Sequence, residues 1–263
     1  MKTNAIIRIV IYSFLVVLLV GIMLFGMFFN EIILRTNISD PLEHKMNAGF
    51  SFEAERISKI DIDWAAGSIQ LIGGEPTGTA GDITLMPNGN NSEYPITYEF
   101  DGDTLRIAYT NASVGILVGS IPERNLTIYV PKRWLCEKLD IDGAALELTI
   151  DDTKIGSLEI DGAACTVRMS GSLETLDCDG ASCSLVLNCS NTPTSIDLDG
   201  VSCELDLTLP KDCGFLVQLN GLSNTFHSSL SYSASGSKYS YGNQQCRIDA
   251  DGMSCKVSIN ASK

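Results

Sequence analysis

Histidine is nearly missing from this 263-residue chain, which has only His44 and His227. None of its nine cysteines forms a C-x-x-C pair. Together these scarcities argue against a thiolate or imidazole metal centre, which needs several such ligands at close spacing. Basic residues are few as well, 18 against 32 acidic, for a formal net charge of −14. Beyond Arg8 the balance is 16 basic to 32 acidic residues. That charge argues against nucleic acid and against direct binding to an anionic surface. No cluster of arginine, lysine or histidine stands apart, and Arg168 and Lys256 occupy ordinary outward positions in strand-like stretches.

What the chain does have is one short phrase written repeatedly. It reads LDIDGAALELTI from Leu139, LEIDGAACTVRM from Leu158, LDCDGASCSLVL from Leu176 and IDLDGVSCELDL from Ile196. The pivots Gly143, Gly162, Gly180 and Gly200 fall 19, 18 and 20 residues apart. A degenerate copy surrounds Gly221, and a last good copy surrounds Gly252. A fixed period near 20 marks a stacked repeat. Before each glycine apolar and polar residues alternate, as in Leu139, Asp140, Ile141 and Asp142, the period of a half-buried strand. Asp-Gly reads as a tight corner, because glycine tolerates positive φ and aspartate favours turns. Alternation then resumes with Leu146, Leu148 and Ile150 inward. One such unit cannot bury its apolar side alone, whereas stacked units share a continuous core. The expected fold is therefore all-β: a β-solenoid, a parallel β-helix-like stack of ~19-residue rungs. An antiparallel sandwich has no reason to repeat one corner at a fixed phase.

Residues 1–8 carry Lys2 and Arg8, and 21 uncharged, mostly apolar residues follow from Ile9 to Phe29. At about 1.5 Å per residue that run spans roughly 30 Å, the thickness of a bilayer core. It is longer than a signal-peptide core and has no A-x-A-like site, so the expectation is one uncleaved transmembrane signal anchor. The basic residues precede it, which leaves residues 1–8 cytoplasmic and the rest extracytoplasmic. Residues 30–58 read as a stalk and 59–263 as the ectodomain. Within the ectodomain, 59–135 are irregular first turns and 136–226 regular rungs. Residues 227–244 form a Ser/Tyr/Gly-rich loop, and 245–263 the final rung.

The opening IDIDWAAGSIQL from Ile60, NLTIYVPK from Asn125 to Lys132 and LDIDGAALELTI from Leu139 resemble the bacterial putative-adhesin family, a domain of unknown function. The resemblance covers roughly residues 50–260. It implies a β-solenoid tethered at the cell surface of a Gram-positive type of bacterium, with some relatives tied to envelope-stress regulation. It offers no catalytic residues to carry over. The cysteines after the glycines depart from its pattern, where aliphatics are expected.

Two sets of residues are candidates for chemistry. Cys165, Cys183, Cys203 and Cys255 each stand three residues after a repeat glycine, a slot held elsewhere by Leu146 and Asn224. They read either as small apolar residues filling a narrow corner or as disulfide partners, with Cys178–Cys183 the most local pair. Asp142, Asp161, Asp179 and Asp199 precede glycines, as does Asp251, with a second acidic row two residues earlier. Stacked carboxylates about 5 Å apart repel by about 3 kcal/mol per pair at an effective dielectric of 20. Either they are turn residues splayed into solvent, or they bind Ca²⁺ weakly as a metal site. No other cofactor is expected. The chain reads as a non-catalytic interaction module, sensing or regulating at the envelope through a membrane-protein partner. Adhesin-like recognition of a surface ligand is the alternative. A carbohydrate-active enzyme would require Trp64, Trp134, Tyr239 and Tyr241 to converge on a carboxylate-lined groove.

Overall fold

Alternating sequence makes strand, and strand is nearly all that the computed structural model contains over the residues it describes, 44–46, 49–74, 81–88, 96–109 and 123–262. These fall in one unit of the chain, Glu43–Asn111 with Ile116–Lys263. In chain order the strands are β1 (His44–Met46), β2 (Phe50–Glu53), β3 (Lys59–Gly73), β4 (Asp82–Asn88), β5 (Ile96–Asp101), β6 (Thr104–Tyr109) and β7 (Arg124–Val130). Then come β8 (Leu135–Cys189), β9 (Ser195–Leu209), β10 (Phe215–Gly221), β11 (Thr225–Ser228), β12 (Ser233–Ser235), β13 (Lys238–Tyr241) and β14 (Cys246–Ala261). Among the described residues the helical content is a 3₁₀ turn at Ala54–Arg56, and no helix is long and apolar enough to cross a membrane. The expected span from Ile9 to Phe29, and the N-terminal residues before it, lie outside the described residues.

The copies of the repeat pair side by side, parallel and in register. Ile60 of β3 lies opposite Leu139 of β8, and Ile62 opposite Ile141. Gly180 of β8 lies opposite Gly200 of β9, and Cys183 opposite Cys203. β9 pairs with β14 over fourteen positions, Gly200 on Gly252 and Cys203 on Cys255 among them. Inside the 55-residue β8 the chain runs through three copies as one continuous strand, with Asp152 (φ 50°) and Gly171 (φ 151°) as positive-φ residues along it. Inward residues such as Leu158, Ile160, Leu185 and Leu187 are buried at 0–1% exposure. They belong to one apolar core that continues from Ile57 to Ile259.

The glycines are required for a different reason from the one the sequence suggests. Gly143, Gly162, Gly180, Gly200 and Gly252 are not among the residues with positive φ, so left-handed backbone is not what they supply. They supply space. A methyl group on Gly200 would stand 2.1 Å from the Gly180 carbonyl oxygen and 2.7 Å from the Cys203 sulfur. On Gly162 it would meet the Cys165 sulfur at 2.4 Å and the Gly143 oxygen at 2.6 Å. Each thiol thus occupies the volume its own glycine leaves open, against the backbone of the copy beneath. At the far side of the stack Asn191 does similar work with its side chain. It donates to the Leu173 carbonyl and accepts from the Leu173 N–H, both at 2.9 Å.

Order in space departs from order in sequence. The last copy in the chain is not the last in the stack: β14 lies between β9 and β10, with Gly252 opposite both Gly200 and Gly221. To get there the chain leaves β11 and forms an antiparallel hairpin, β12–β13, on the outer edge of β10, with Val217 opposite Tyr239. Residues 227–244, expected as a loop, are therefore largely this hairpin. Tyr239 stacks on Phe226 with ring centroids 4.5 Å apart, and Tyr241 packs against Phe215 at 5.7 Å. The expected stalk also gives way to strand from His44. β1 pairs antiparallel with β5, and β2 with β4. Phe50 and Phe52 hold β2 against Tyr98 at 5.4 and 5.1 Å, a two-residue alternation too short to register as a period. Within 59–135, β3 stacks in register on β8, while β4 and β5 pair antiparallel with their neighbours.

Replacing Gly200 with alanine is expected to cost about 1–3 kcal/mol, since both obstructing groups are fixed. Gly200→Ala/Cys203→Ala should recover part of that loss, because the carbonyl clash remains. Denaturant titration of the three proteins checks it, and equal stability of Gly200→Ala and the parent would contradict the close-approach account.

Candidate functional site

The cysteine column sits on the inner side of the glycine corners. Cys165, Cys183, Cys203 and Cys255 are 1–3% exposed, and Cys178 is fully buried. Cys183 lies within hydrogen-bonding reach of Cys165, Cys178 and Cys203, and Cys203 of Cys255. All nine cysteines are free thiols, so the Cys178–Cys183 pair is in contact but not bridged. The hydrogen bond with Cys183, followed by burial, raises the Cys178 thiol far above its ordinary value, and the same two causes act on Cys203. Burial alone pushes Cys189 up to about 12, and it is the leading cause for Cys136 and Cys246, also at about 12. A thiolate is the reactive form, so these groups are inert while the fold is closed. The hydrogen bond with Cys183 lowers the Cys165 thiol instead, but all nine cysteines are buried, so a polar thiol-specific reagent should modify none of the nine on the minute timescale in native buffer and all nine in denaturant. Rapid native labelling of Cys183 or Cys203 would contradict this.

On the outer side the register brings the carboxylates into the two expected rows. Asp199 lies between Asp179 and Asp251, and Asp197 between Asp177 and Asp249. The row nearer the strand starts is relieved by its neighbours. Lys138 Nζ lies 2.9 Å from Asp140 and 2.6 Å from Glu159, bridging two copies. Ser195 donates to Asp197 at 2.9 Å, and Arg247 pairs with Asp249 at 2.5 Å. In the row beside the glycines, among the described residues, no Lys or Arg nitrogen lies within ion-pair distance of Asp161, Asp179 or Asp199. Burial first, and then neighbouring carboxylates, hold all three above the usual range: Asp142 and Asp140 act on Asp161, Asp161 and Asp199 on Asp179, and Asp251 on Asp199. Among the described residues no three carboxylate, thiol or imidazole side chains converge on a point that could hold a metal ion. The row thus offers Ca²⁺ oxygens in file, without the six to eight that the ion gathers around itself.

A carboxyl whose folded value is raised binds its proton more readily folded than unfolded. Its repulsive cost is present at neutral pH and is relieved as pH falls through the raised value towards the unfolded one, near 4. Melting temperature should therefore rise on mild acidification from pH 7.5 to about 5. Asp179→Asn should melt higher than the parent at pH 7.5 and show a flatter pH dependence. Millimolar calcium should leave the parent's melting temperature unmoved, and a rise of several degrees would show that the row binds the ion.

Two hollows lie on the surface of the described residues. One, about 280 Å³, is lined by Phe52, Glu53, Arg56, Ile57, Phe100 and Gly102. The other is a groove of about 320 Å³ across the return corners, lined by Lys132, Asp152, Lys154, Ser170, Ser190 and Ser262 among others. Lys132 pairs with Asp152 at 3.0 Å in it. Thr153 also lines it, with a buried hydroxyl that has no hydrogen-bond partner. Sequence reasoning missed this groove because the segments between copies look like spacers of variable length. The in-register stacking gathers them on one side. The aromatic residues do not converge: Trp64 is buried with its indole N–H on the Arg124 carbonyl. Trp134 donates to the Ile57 carbonyl at 2.8 Å, and Tyr239 and Tyr241 belong to β13.

No protein-family model and no curated protein matches the chain. Among solved structures it is similar to a putative cell adhesion protein from Clostridium sporogenes, at 13% identity and a TM-score of 0.48, over 83% of this chain and 100% of that one. It is also similar to a putative adhesin from Bacteroides fragilis, at 11% identity and a TM-score of 0.42, over 83% and 98% of the two chains. A putative lipid binding protein from Parabacteroides distasonis follows at 12% identity and a TM-score of 0.23, over 83% and 98%. At such identities and scores neither activity nor ligand passes from them to this chain.

Proposed function

We propose that the repeats form a β-solenoid ectodomain, anchored by the apolar run from Ile9 to Phe29, that acts without catalysis as an interaction module of the cell envelope. The single observation behind this reading is the register. It lays identical polar side chains over one another, Asp on Asp and Ser202 on Ser182 and Ser254, and so makes flat strand faces with a repeating acidic pattern. Thiols and apolar residues are consumed by the core, and the carboxylates are ordered by the repeat. Such a face suits a partner surface carrying spaced cations, and envelope sensing through a membrane protein is the role that fits a short tethered domain. The alternative, adhesin-like binding of a surface ligand, is favoured by the groove of about 320 Å³ and its ring of serine hydroxyls, a lining that suits sugar hydroxyls.

The two readings separate in one experiment. Cross-linking in whole cells, followed by solubilisation and purification of the full chain, should enrich a membrane protein with a basic extracytoplasmic face. Its yield should fall with rising salt and with Asp177→Asn/Asp197→Asn. Glycan or matrix binding that survives this double substitution and is lost with Ser170→Trp in the groove would favour the adhesin reading instead.

A further inference from the structure

The outermost copy in the stack differs from all the others in charge. From Cys213 to Ser237 the chain carries no Asp, Glu, Lys or Arg. Where the other copies place carboxylates, this one has Gln218 and Asn220, paired with Asp249 and Asp251 of β14. Its second strand, β11, pairs with β14 alone, so its outer edge meets no described strand. Native proteins ordinarily protect such an edge with charge, proline or a cover, and β11 (Thr225, Phe226, His227, Ser228) has neither charge nor proline.

Beside this edge runs an apolar ridge that no core requires. The residue after each corner glycine is small in the early copies (Ala144, Ala163 and Ala181), then becomes Val201, Met253 and Leu222 in the three outermost. Their exposures are 55%, 50% and 84%. Because Gly252 lies opposite both Gly200 and Gly221, the three side chains come from consecutive layers and end at the open rim.

We propose that this end of the stack is a self-association surface, where the β11 edges of two copies pair antiparallel about a two-fold axis. Charge selects a second copy as the occupant. The chain is at −14, so two copies meeting by the acidic strands β8, β9 and β14 would set carboxylate rows against carboxylate rows, whereas this end brings none. Faces select the register. Phe226 is buried while Thr225 and His227 are exposed, and paired strands keep inward residues over inward residues. The axis therefore passes at Phe226, and Thr225 of one copy faces His227 of the other. A four-residue edge makes a small interface, so association is concentration-dependent rather than permanent. The surface does not depend on what the acidic faces bind.

The test uses the full chain in detergent, over about 1 to 100 µM, by sedimentation and by amide hydrogen exchange. The parent should dimerise as concentration rises, with amides between Thr225 and Ser228 gaining protection in step. Thr225→Asp/His227→Asp and Thr225→Lys/His227→Lys should each weaken self-association at least tenfold, while an equimolar mixture should form mixed dimers at the parent's concentration or below. Both positions are exposed, and unchanged melting of each variant confirms that its fold is intact. A parent that stays monomeric throughout overturns the proposal. So does a dimer that both variants leave intact, or concentration-dependent protection confined to other strands.

Discussion

Parallel backbone pairing at zero offset is the constraint from which the rest of this structure follows. Neighbouring strands in a sheet lie about 4.8 Å apart, and the corner leaves less room still, since one glycine carbonyl points at the next glycine's α-carbon. The closeness explains why five successive corners use glycine without any of them using its special backbone angles. It also explains the thiols. A cysteine three residues on turns its sulfur back over the glycine, and a methyl group there would collide with the sulfur of Cys165, Cys183, Cys203 or Cys255 at 2.4–2.7 Å. Glycine and cysteine are one packing unit, and Asn224 shows the alternative. In the degenerate copy its side chain accepts the Cys255 N–H at 2.8 Å, and Gly221 there takes a φ of +124°.

Zero offset also forces like onto like. Apolar residues gain by it, because each inward leucine or isoleucine is covered by another from above and below. Carboxylates lose by it. The fold manages the loss unevenly, with Lys138, Ser195 and Arg247 serving the outer row and partial exposure serving Asp179 and Asp199. Exposed charges in near-aqueous surroundings at this spacing repel by about 1 kcal/mol per pair. That is less than the 1.5–3 kcal/mol of a single buried leucine, so apolar burial between the copies offsets the repulsion of the rows.

Much of this was legible in the residues themselves. The alternation around Leu139, Leu158, Leu176 and Ile196 announced strands, their glycine spacing announced which residues would be neighbours, and the inward cysteines followed from phase. Less legible was anything that depends on adjacency in space. The Phe50–Phe52 pair is too short to show a period, and only Tyr98, far along the chain, makes it a strand. The groove at Lys132, Asp152 and Ser170 is assembled from separate connections whose sequences share nothing. The glycines were read as corners that break the strand, but β8, β9 and β14 run through them without interruption; what they supply is room, and sequence reports a missing side chain without saying what would have struck it.

The exchange of the last two copies is the most informative departure. Had spatial order followed the chain, the neutral copy around Gly221 would have lain between Gly200 and Gly252, separating Asp199 from Asp251 and Asp197 from Asp249. Instead those pairs are set side by side, and the uncharged copy is placed outside. The inserted copy is covered along both its strands, with Ile248, Ala250, Cys255, Val257 and Ile259 0–1% exposed between their neighbours, whereas the outer copy buries Phe215 and Val217 fully but leaves Leu219 and Phe226 at 5% and 8%. Five inward side chains sandwiched on both sides outweigh two screened carboxylate contacts. The degenerate copy, with seven positions paired through β10 and four through β11, has less to gain from such burial and can stand at the rim. Hydrophobic matching thus decides the order, and its by-product is an end of the stack stripped of the charge that covers the remainder.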